Sequence, residues 1–291
     1  MSGCSRCEAP RFGVFTQFTQ VPPLFQTCNA YNRMFRTITT AAASSSSLAL
    51  TTPFTQNSLR KIKSALPGSV PYAVDASEKH AAVLIPFCNV DGQPGVLLEV
   101  RGKLRTHSGE VSFPGGRVDK EDASLLAAAL RETHEELGIR PEQVELLGDT
   151  IIGAPELSLS GLRVWPYLGF IYPDSHSRHE TVDPDAPLPS LSMSSLRPSL
   201  PEVAHCFHLP LSAMVSPARI KQHIFRGQRS YLRIRVSDLV AGSGVRWEGN
   251  TGIDEVGGGM NGELEIWGLT GWYLSVLMKT LQVYRQDDKR Q

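Results

Sequence analysis

The chain reads as one α/β domain, a mixed sheet set between helices, and three features carry that reading. Ala81–Phe87 is an unbroken apolar run of strand length, and Gly95–Arg101 follows it across the polar turn Asp91-Gly92-Gln93-Pro94. Asp122–Leu137 carries Leu125, Leu126, Ala129, Leu130, Thr133 and Leu137 at helical spacing, with Gly138 to end the helix. Downstream, apolar segments of strand length lead to one last long helical stretch, so strands and helices share a single core.

Taken in order, Asn57 caps a short helix that runs through Leu66 and is broken by Pro67-Gly68. The Ala81–Phe87 strand and its Gly95–Arg101 partner come next, and Val111–Phe113 leads into the glycine turn at Gly115-Gly116. Val144–Ile152, Leu162–Ile171 and His205–Leu209 are further strands, and a helix starts after Ile266-Trp267-Gly268 and runs towards Val283. Tyr172–Pro201 is rich in proline, serine and aspartate, while Ala241–Gly262 is glycine-rich without periodicity, so both read as inserted loops. The expected organisation is a disordered leader over 1–56, a folded domain over 57–284 with insert loops at 172–201 and 241–262, and a polar tail over 285–291.

A chain of 291 residues with 41% hydrophobic content has ample material for one sizeable core. Its 29 basic and 29 acidic residues cancel, which argues against a generic polyanion binder; no nucleic-acid partner is expected. Five scattered cysteines do not make a disulfide framework, and the Cys4/Cys7 spacing lacks a second pair that would indicate zinc. No run of eighteen apolar residues is present, so no membrane span is expected. From Pro10 to Val74 there is no acid, while Arg11, Arg33, Arg36, Arg60, Lys61 and Lys63 give positive charge and Ser44–Ser47 forms a serine run. That composition reads as an organellar transit segment, centred on about Met34–Leu59, against the plainer reading of a leader without an address.

The end of the Asp122–Leu137 helix holds Arg131-Glu132-Thr133-His134-Glu135-Glu136. Glu132 and Glu136 are four apart and stack on one face, with Glu135 at its edge; this flank lies opposite the apolar stripe, so the carboxylates are expected to face solvent. Like charges so placed repel unless a cation sits among them, and Mg²⁺ is commonly held by carboxylates together with substrate phosphates. Composition alone leaves two readings open: a metal platform for chemistry on a phosphate ester, or a solvated acidic face.

Arg131 to Ile139 resembles the second half of the signature box of the Nudix hydrolases, Gly-x5-Glu-x7-Arg-Glu-U-x-Glu-Glu-x-Gly-U, with Thr133 where an aliphatic residue is usual. The first half departs: it is one residue longer and has Asp122 as its nearest acid. Phe113-Pro114-Gly115-Gly116 with the Asp-rich turn after it, and Leu97-Leu98-Glu99-Val100-Arg101 with Leu104-Arg105-Thr106-His107-Ser108-Gly109 before it, resemble the coenzyme A diphosphatase branch. Glu99 stands where that branch has threonine and Gly102 where it has serine. Ser160–Gly169, Glu202-Val203 and Ile266–Thr270 are similar to later family segments in family order, so the resemblance covers about residues 57–281.

The resemblance implies a Nudix-type α/β/α sandwich with a glutamate-bearing catalytic helix, and a requirement for Mg²⁺ or Mn²⁺. It implies metal ligands Glu132, Glu135 and Glu136 with the Gly116 carbonyl, catalytic roles for these glutamates, for Arg131 as an orienting residue and for Glu202, and substrate contacts from Arg105, His107, Ser108, Gly109 and Gly115. His107 reads equally well as a residue holding its loop, Trp267 as a packing residue, and Asp119 and Asp122 as turn and cap residues. The implied reaction splits the diphosphate of CoA or acyl-CoA into 3′,5′-ADP and (acyl-)phosphopantetheine. Its rivals are another nucleoside diphosphate-X substrate, such as ADP-ribose, a dinucleotide or capped RNA, and a non-catalytic Nudix binding domain. Some members of this branch look peroxisomal and others mitochondrial; the chain ends Asp288-Lys289-Arg290-Gln291, without a Ser-Lys-Leu address, so mitochondrial localisation is expected, with peroxisomal or cytoplasmic as the alternatives.

Overall fold

Strand β1 (Lys79–Val90) organises the fold because successive parts of it meet different partners. In the computed structural model, which describes residues 48–67, 72–102, 109–148, 153–178, 183–200, 202–245, 247 and 262–284, nearly all of β1 from Ala81 onward is buried. Its last residues pair antiparallel with β2 (Gln93–Arg101), from Phe87 opposite Val96 to Val90 opposite Gln93. On the side that continues the sheet, β1 runs parallel to β7 (Leu162–Ile171), from Lys79 opposite Leu162 to Phe87 opposite Phe170. The hairpin turn needs positive φ at Asp91 (49°) and Gly92 (71°), which the Asp-Gly pair supplies.

Strand β3 (Val111–Ser112) pairs with β2, while β4 (Gly115–Arg117) pairs with the first half of β1, Ala81 opposite Arg117 to Val83 opposite Gly115. Strands β5 (Val144–Leu146) and β6 (Glu156–Leu157) pair with β7, and β8 (Val203–Pro210) pairs with β2, completing an eight-stranded mixed sheet. Helix α1 (Gln56–Ala65) and helix α2 (Leu125–Leu137) carry buried residues towards this sheet, Leu59 and Ile62 from the first and Ala128, Ala129, Thr133 and Leu137 from the second. The expected α/β class, a mixed sheet flanked by helices, is the fold found.

A second sheet follows. Strands β9 (Ile220–Phe225) and β10 (Arg229–Arg235) form a hairpin closed by Arg226 at φ 50° and Gly227 at φ 69°, and β11 (Glu265–Ile266) pairs with β10. Two short helices, α3 (Leu211–Met214) and α4 (Ser237–Val240), flank the hairpin in sequence. Helix α5 (Gly268–Thr280), buried over most of its length, packs on β10, where Ser275 Oγ accepts the Leu232 amide at 2.9 Å. The hairpin was not expected, because Ile220–Arg235 mixes apolar residues with Lys, Gln, His and Arg irregularly, without strict alternation or an apolar run.

Several boundaries differ from expectation. The α1 cap is Thr55, in a reciprocal box with Ser58, and Asn57 lies inside the helix. The strand expected over Val144–Ile152 is confined to Val144–Leu146 among the described residues. Most informatively, 172–201 is not simply an insert loop, since Leu188, Leu191 and Leu196 are buried. Asn89, buried at the end of β1, fastens that segment. Its side chain accepts the Phe54 amide at 2.8 Å and donates to the carbonyls of Phe54 and Leu188 at 3.1 and 2.9 Å. One buried amide thus satisfies backbone groups of two otherwise irregular segments, a contact that composition does not reveal.

Candidate active site

The site begins with the register of α2. Ser124, not Asp122, caps the helix by accepting the Ala127 amide at 3.0 Å, and Gly138 at φ 74° ends it. Ala129, Thr133 and Glu136 fall on one inward stripe at spacings of four and three, and Thr133 satisfies its hydroxyl by donating to the Ala129 carbonyl at 2.7 Å. The same spacing brings Glu136 inside. It is only 5% exposed, where a solvent-facing carboxylate was expected.

The Glu136 carboxylate is held by the β4 backbone: Oε2 accepts the Gly115 amide at 2.7 Å. Glu132, one turn earlier, lies against Gly116, where an added Cβ would sit 2.5 Å from the Glu132 carboxylate carbon. Gly115 and Gly116 therefore let the strand approach the two acids closely. Arg131 is the hub beside them. Its Nε and Nη2 donate to the Asp122 carboxylate at 2.9 and 3.0 Å, its Nη1 to Glu135 at 3.0 Å and its Nη2 to the Arg117 carbonyl at 3.0 Å. Glu132 Oε1 lies 3.1 Å from the same Nη2. The arginine hydrogen bonds hold the Asp122 carboxyl below the usual range. Glu135 is drawn outward to Arg131, so the expected trio Glu132, Glu135 and Glu136 is not gathered at one point. The physical reason is the four-residue spacing from Arg131, which pairs the two side chains along the helix surface.

A carboxylate outside the expected set stands behind Glu136. Glu99, on β2, is fully buried; Oε1 accepts from Ser112 Oγ at 2.9 Å and Oε2 has no hydrogen-bond partner. Burial raises the Glu99 carboxyl above its ordinary range, against the opposing pull of Arg101, whose Nη1 is 3.9 Å away. Burial, then the neighbouring Glu99, likewise raises Glu136, and burial raises Glu132. The signal in the sequence was an acid within the apolar strand run Val96-Leu97-Leu98-Glu99-Val100.

Glu132 and Glu136 share a cavity of about 590 Å³, lined also by Arg101, Ser112, Gly115 and Gly116. Glu202 reaches the same cavity, and its carbonyl accepts the Gly102 amide at 2.7 Å beside a bulge in β2 at Val100/Arg101. Gly109, at φ 74°, donates its amide to the Arg101 carbonyl at 2.9 Å. Arg105, His107 and Ser108 lie outside the described residues. The start of α5 and the hairpin add a further wall, from which Trp267 faces the cavity.

The donor set suits a hard divalent cation: carboxylate oxygens, a buried carboxylate oxygen without a partner, and a glycine strand pressed against Glu132. Among the described residues no three acidic, histidine or cysteine side chains are clustered tightly enough to hold an ion as they stand. Glu132 and Glu136, with Glu99 and Glu202 near, are the residues that would hold Mg²⁺ or Mn²⁺.

A family model described as NUDIX domain matches residues 78–186, which contains β1, β4 and α2. A Klebsiella aerogenes protein described as uncharacterized Nudix hydrolase NudL is 47% identical over 102 residues, 35% of this chain and 82% of that one. The chain belongs to the Nudix hydrolase family. Proteins of the same description from Enterobacter sp. (strain 638) and Citrobacter koseri are 50% and 42% identical over 101 and 137 residues, covering 34% and 47% of this chain. This Nudix chain spans 50% and 59% of their lengths, about half. Among solved structures, a C. elegans Ap4A hydrolase complex is 21% identical and covers 46% of this chain and 83% of its own, with a TM-score of 0.33.

Proposed function

We propose that the protein hydrolyses the phosphoanhydride bond of a nucleoside diphosphate linked to a second group, and that this substrate is CoA or an acyl-CoA. The observation that carries the reaction is the convergence of Glu132, Glu136 and Glu202 with Gly115-Gly116 on one cavity. The finer reading is supported by Leu97–Gly116, whose motif resembles the coenzyme A diphosphatase branch, and by the position of its Arg101, Gly115 and Gly116 at the cavity.

When bound, a divalent cation supplies Lewis-acid activation of the diphosphate and of water. The chain's own residues then divide the remaining work. Arg131 fixes Glu132, and the Gly115 amide fixes Glu136, so both carboxylates are oriented before substrate arrives. Glu202, exposed on the cavity wall, is the proposed acceptor of the proton from the attacking water. Arg101 and Arg117 face the same cavity and oppose the negative charge of the diphosphate. The water oxygen joins one phosphorus, the bridging P–O bond breaks, and from CoA the products are 3′,5′-ADP and 4′-phosphopantetheine.

The deciding experiment supplies CoA, acetyl-CoA, ADP-ribose, a diadenosine polyphosphate and capped RNA with Mg²⁺ or Mn²⁺ and identifies the products. The expected result is 3′,5′-ADP from the CoA species at the highest kcat/KM. AMP from ADP-ribose with CoA left intact overturns the CoA reading and keeps the broader one. No turnover of any member favours a binding domain.

A further inference from the structure

Among the described residues four large apolar side chains are exposed, and two of them, Leu159 (61%) and Ile224 (48%), line the cavity that holds Glu132 and Glu136. They come from distant parts of the chain: Leu159 from the turn between β6 and β7, Ile224 from β9. With Phe225 and Tyr231 of the hairpin, and Trp267 and Leu269 at the start of α5, they make a largely apolar wall continuous with the carboxylate site. Exposed aliphatic residues concentrated at a cavity mouth signal an apolar ligand, since scattered ones would need no explanation.

The two groups flanking a diphosphate differ in what they ask of such a wall. A nucleobase wants an open ring face and polar partners for its edge. Phe225 already stacks on Trp272 at 5.0 Å, with the Arg226 and Arg229 guanidiniums 5.1 and 5.0 Å from its ring centre. Tyr231 stacks on His223 at 5.7 Å, and its hydroxyl accepts the Gly268 amide at 3.2 Å. Ser158 and Ser160 close on each other at 3.0 Å. Much of the wall's polar and aromatic capacity is therefore spent inside the protein, and Leu159, Ile224 and Leu269, beside the Trp267 ring, are what it offers a ligand.

We infer that this wall is a subsite for an aliphatic tail carried beyond the scissile diphosphate, so that the enzyme selects fatty acyl thioesters of CoA over free CoA. The inference rests on the CoA reading and deepens it. Tail burial acts mainly on substrate capture, so it appears in kcat/KM.

The test measures kcat/KM of the full chain for CoA, acetyl-, hexanoyl- and decanoyl-CoA below their micelle concentrations, with ADP-ribose alongside. Each methylene removed from water favours binding, and the expected rise from acetyl- to decanoyl-CoA is about tenfold or more. Ile224→Asp, and independently Leu159→Asp in an exposed turn, are each expected to lower the decanoyl-to-acetyl ratio about fivefold. Melting temperatures verify that the variants fold. Direct titration of the metal-free protein with decanoyl-CoA and with CoA gives a second readout, and tighter binding of decanoyl-CoA is expected. A flat kcat/KM across chain length overturns the subsite while the CoA reading stands. Equal losses on every substrate in both variants also overturn it, assigning the wall to the nucleoside or to folding alone. Turnover of ADP-ribose with every CoA species untouched removes the CoA reading and this inference together.

Discussion

Glu136 Oε2 accepts the Gly115 amide hydrogen at 2.7 Å, across the gap between the last turn of α2 and β4. This contact ties a buried acid to the glycine strand that borders the cavity, and it makes Glu136 part of the packing as well as of the site. Burial and the Glu99 carboxylate both disfavour its charged form in the metal-free protein.

Glu136→Gln and Glu136→Ala are therefore expected to separate. Gln keeps an acceptor for the Gly115 amide and removes repulsion, so melting should be unchanged or slightly raised while turnover falls at least about a hundredfold. Ala leaves that amide without a partner, and about 1–3 kcal/mol of stability should go with it. Thermal melts and single-turnover hydrolysis of both variants check this; near-normal turnover of the Gln variant at saturating Mg²⁺ contradicts the ligand role.

At Gly116 the backbone is not in the left-handed region, so an added methyl meets no backbone strain. It meets the Glu132 carboxylate, the movable end of a side chain. Gly116→Ala should cost less than about 1 kcal/mol in stability, because the carboxylate swings away, yet lower activity tenfold or more. A large stability loss with activity per folded molecule intact would reverse the assignment.

Arg131→Lys keeps the charge but loses the fork that holds Asp122 through two nitrogens while reaching Glu132 and Glu135. The expected stability cost is about 1–2 kcal/mol, with a several-fold rise in the Mn²⁺ dissociation constant. Paramagnetic titration of the metal-free variant reads the affinity, and an unchanged value would leave Arg131 as a packing residue.

His208 supplies a pH signature outside the site. Burial depresses its imidazole to about 4, and Nε2 has no hydrogen-bond partner. The unfolded chain takes up the proton first, so stability present above about pH 6.5 is lost as pH falls towards 4. The full loss is at most about 3 kcal/mol. Glu99 and Glu136, with raised values, push the opposite way in the same window, so the informative quantity is the difference between wild type and His208→Gln. Denaturant melts at pH 7 and 4.5 should show a steeper decline in the wild type; parallel curves contradict it.

The parts that the sequence made readable are those with local patterns. The β1–β2 turn announced itself through Asp91-Gly92, and α2 through its apolar spacing and Gly138. Glu132 and Arg131 were found because their order along one helix fixes their neighbours. The acid within the apolar run of β2 marked Glu99 as buried, but its place beside Glu136 depends on long-range packing that no local pattern encodes. The β9–β10 hairpin was missed for a related reason: its polar residues face outward while Phe225, Tyr231 and Ile234 reach a core made elsewhere. The burial of Glu136 was in reach, since Ala129, Thr133 and Glu136 share one stripe, but an acid was assumed to face water.

The Asn89 clasp has a consequence for maturation. Phe54 is 1% exposed and packs with Phe87 at 5.0 Å, so a chain shortened to begin at Asn57 would leave a void in the core and an unsatisfied amide at the end of β1. Losing a buried phenylalanine typically costs about 3–5 kcal/mol, a large part of a domain's total. If the acid-free stretch that begins at Pro10 acts as a mitochondrial presequence, the processing protease must cut ahead of Phe54, and the amino-terminal residue of the imported protein, read by mass spectrometry, should fall upstream of that ring.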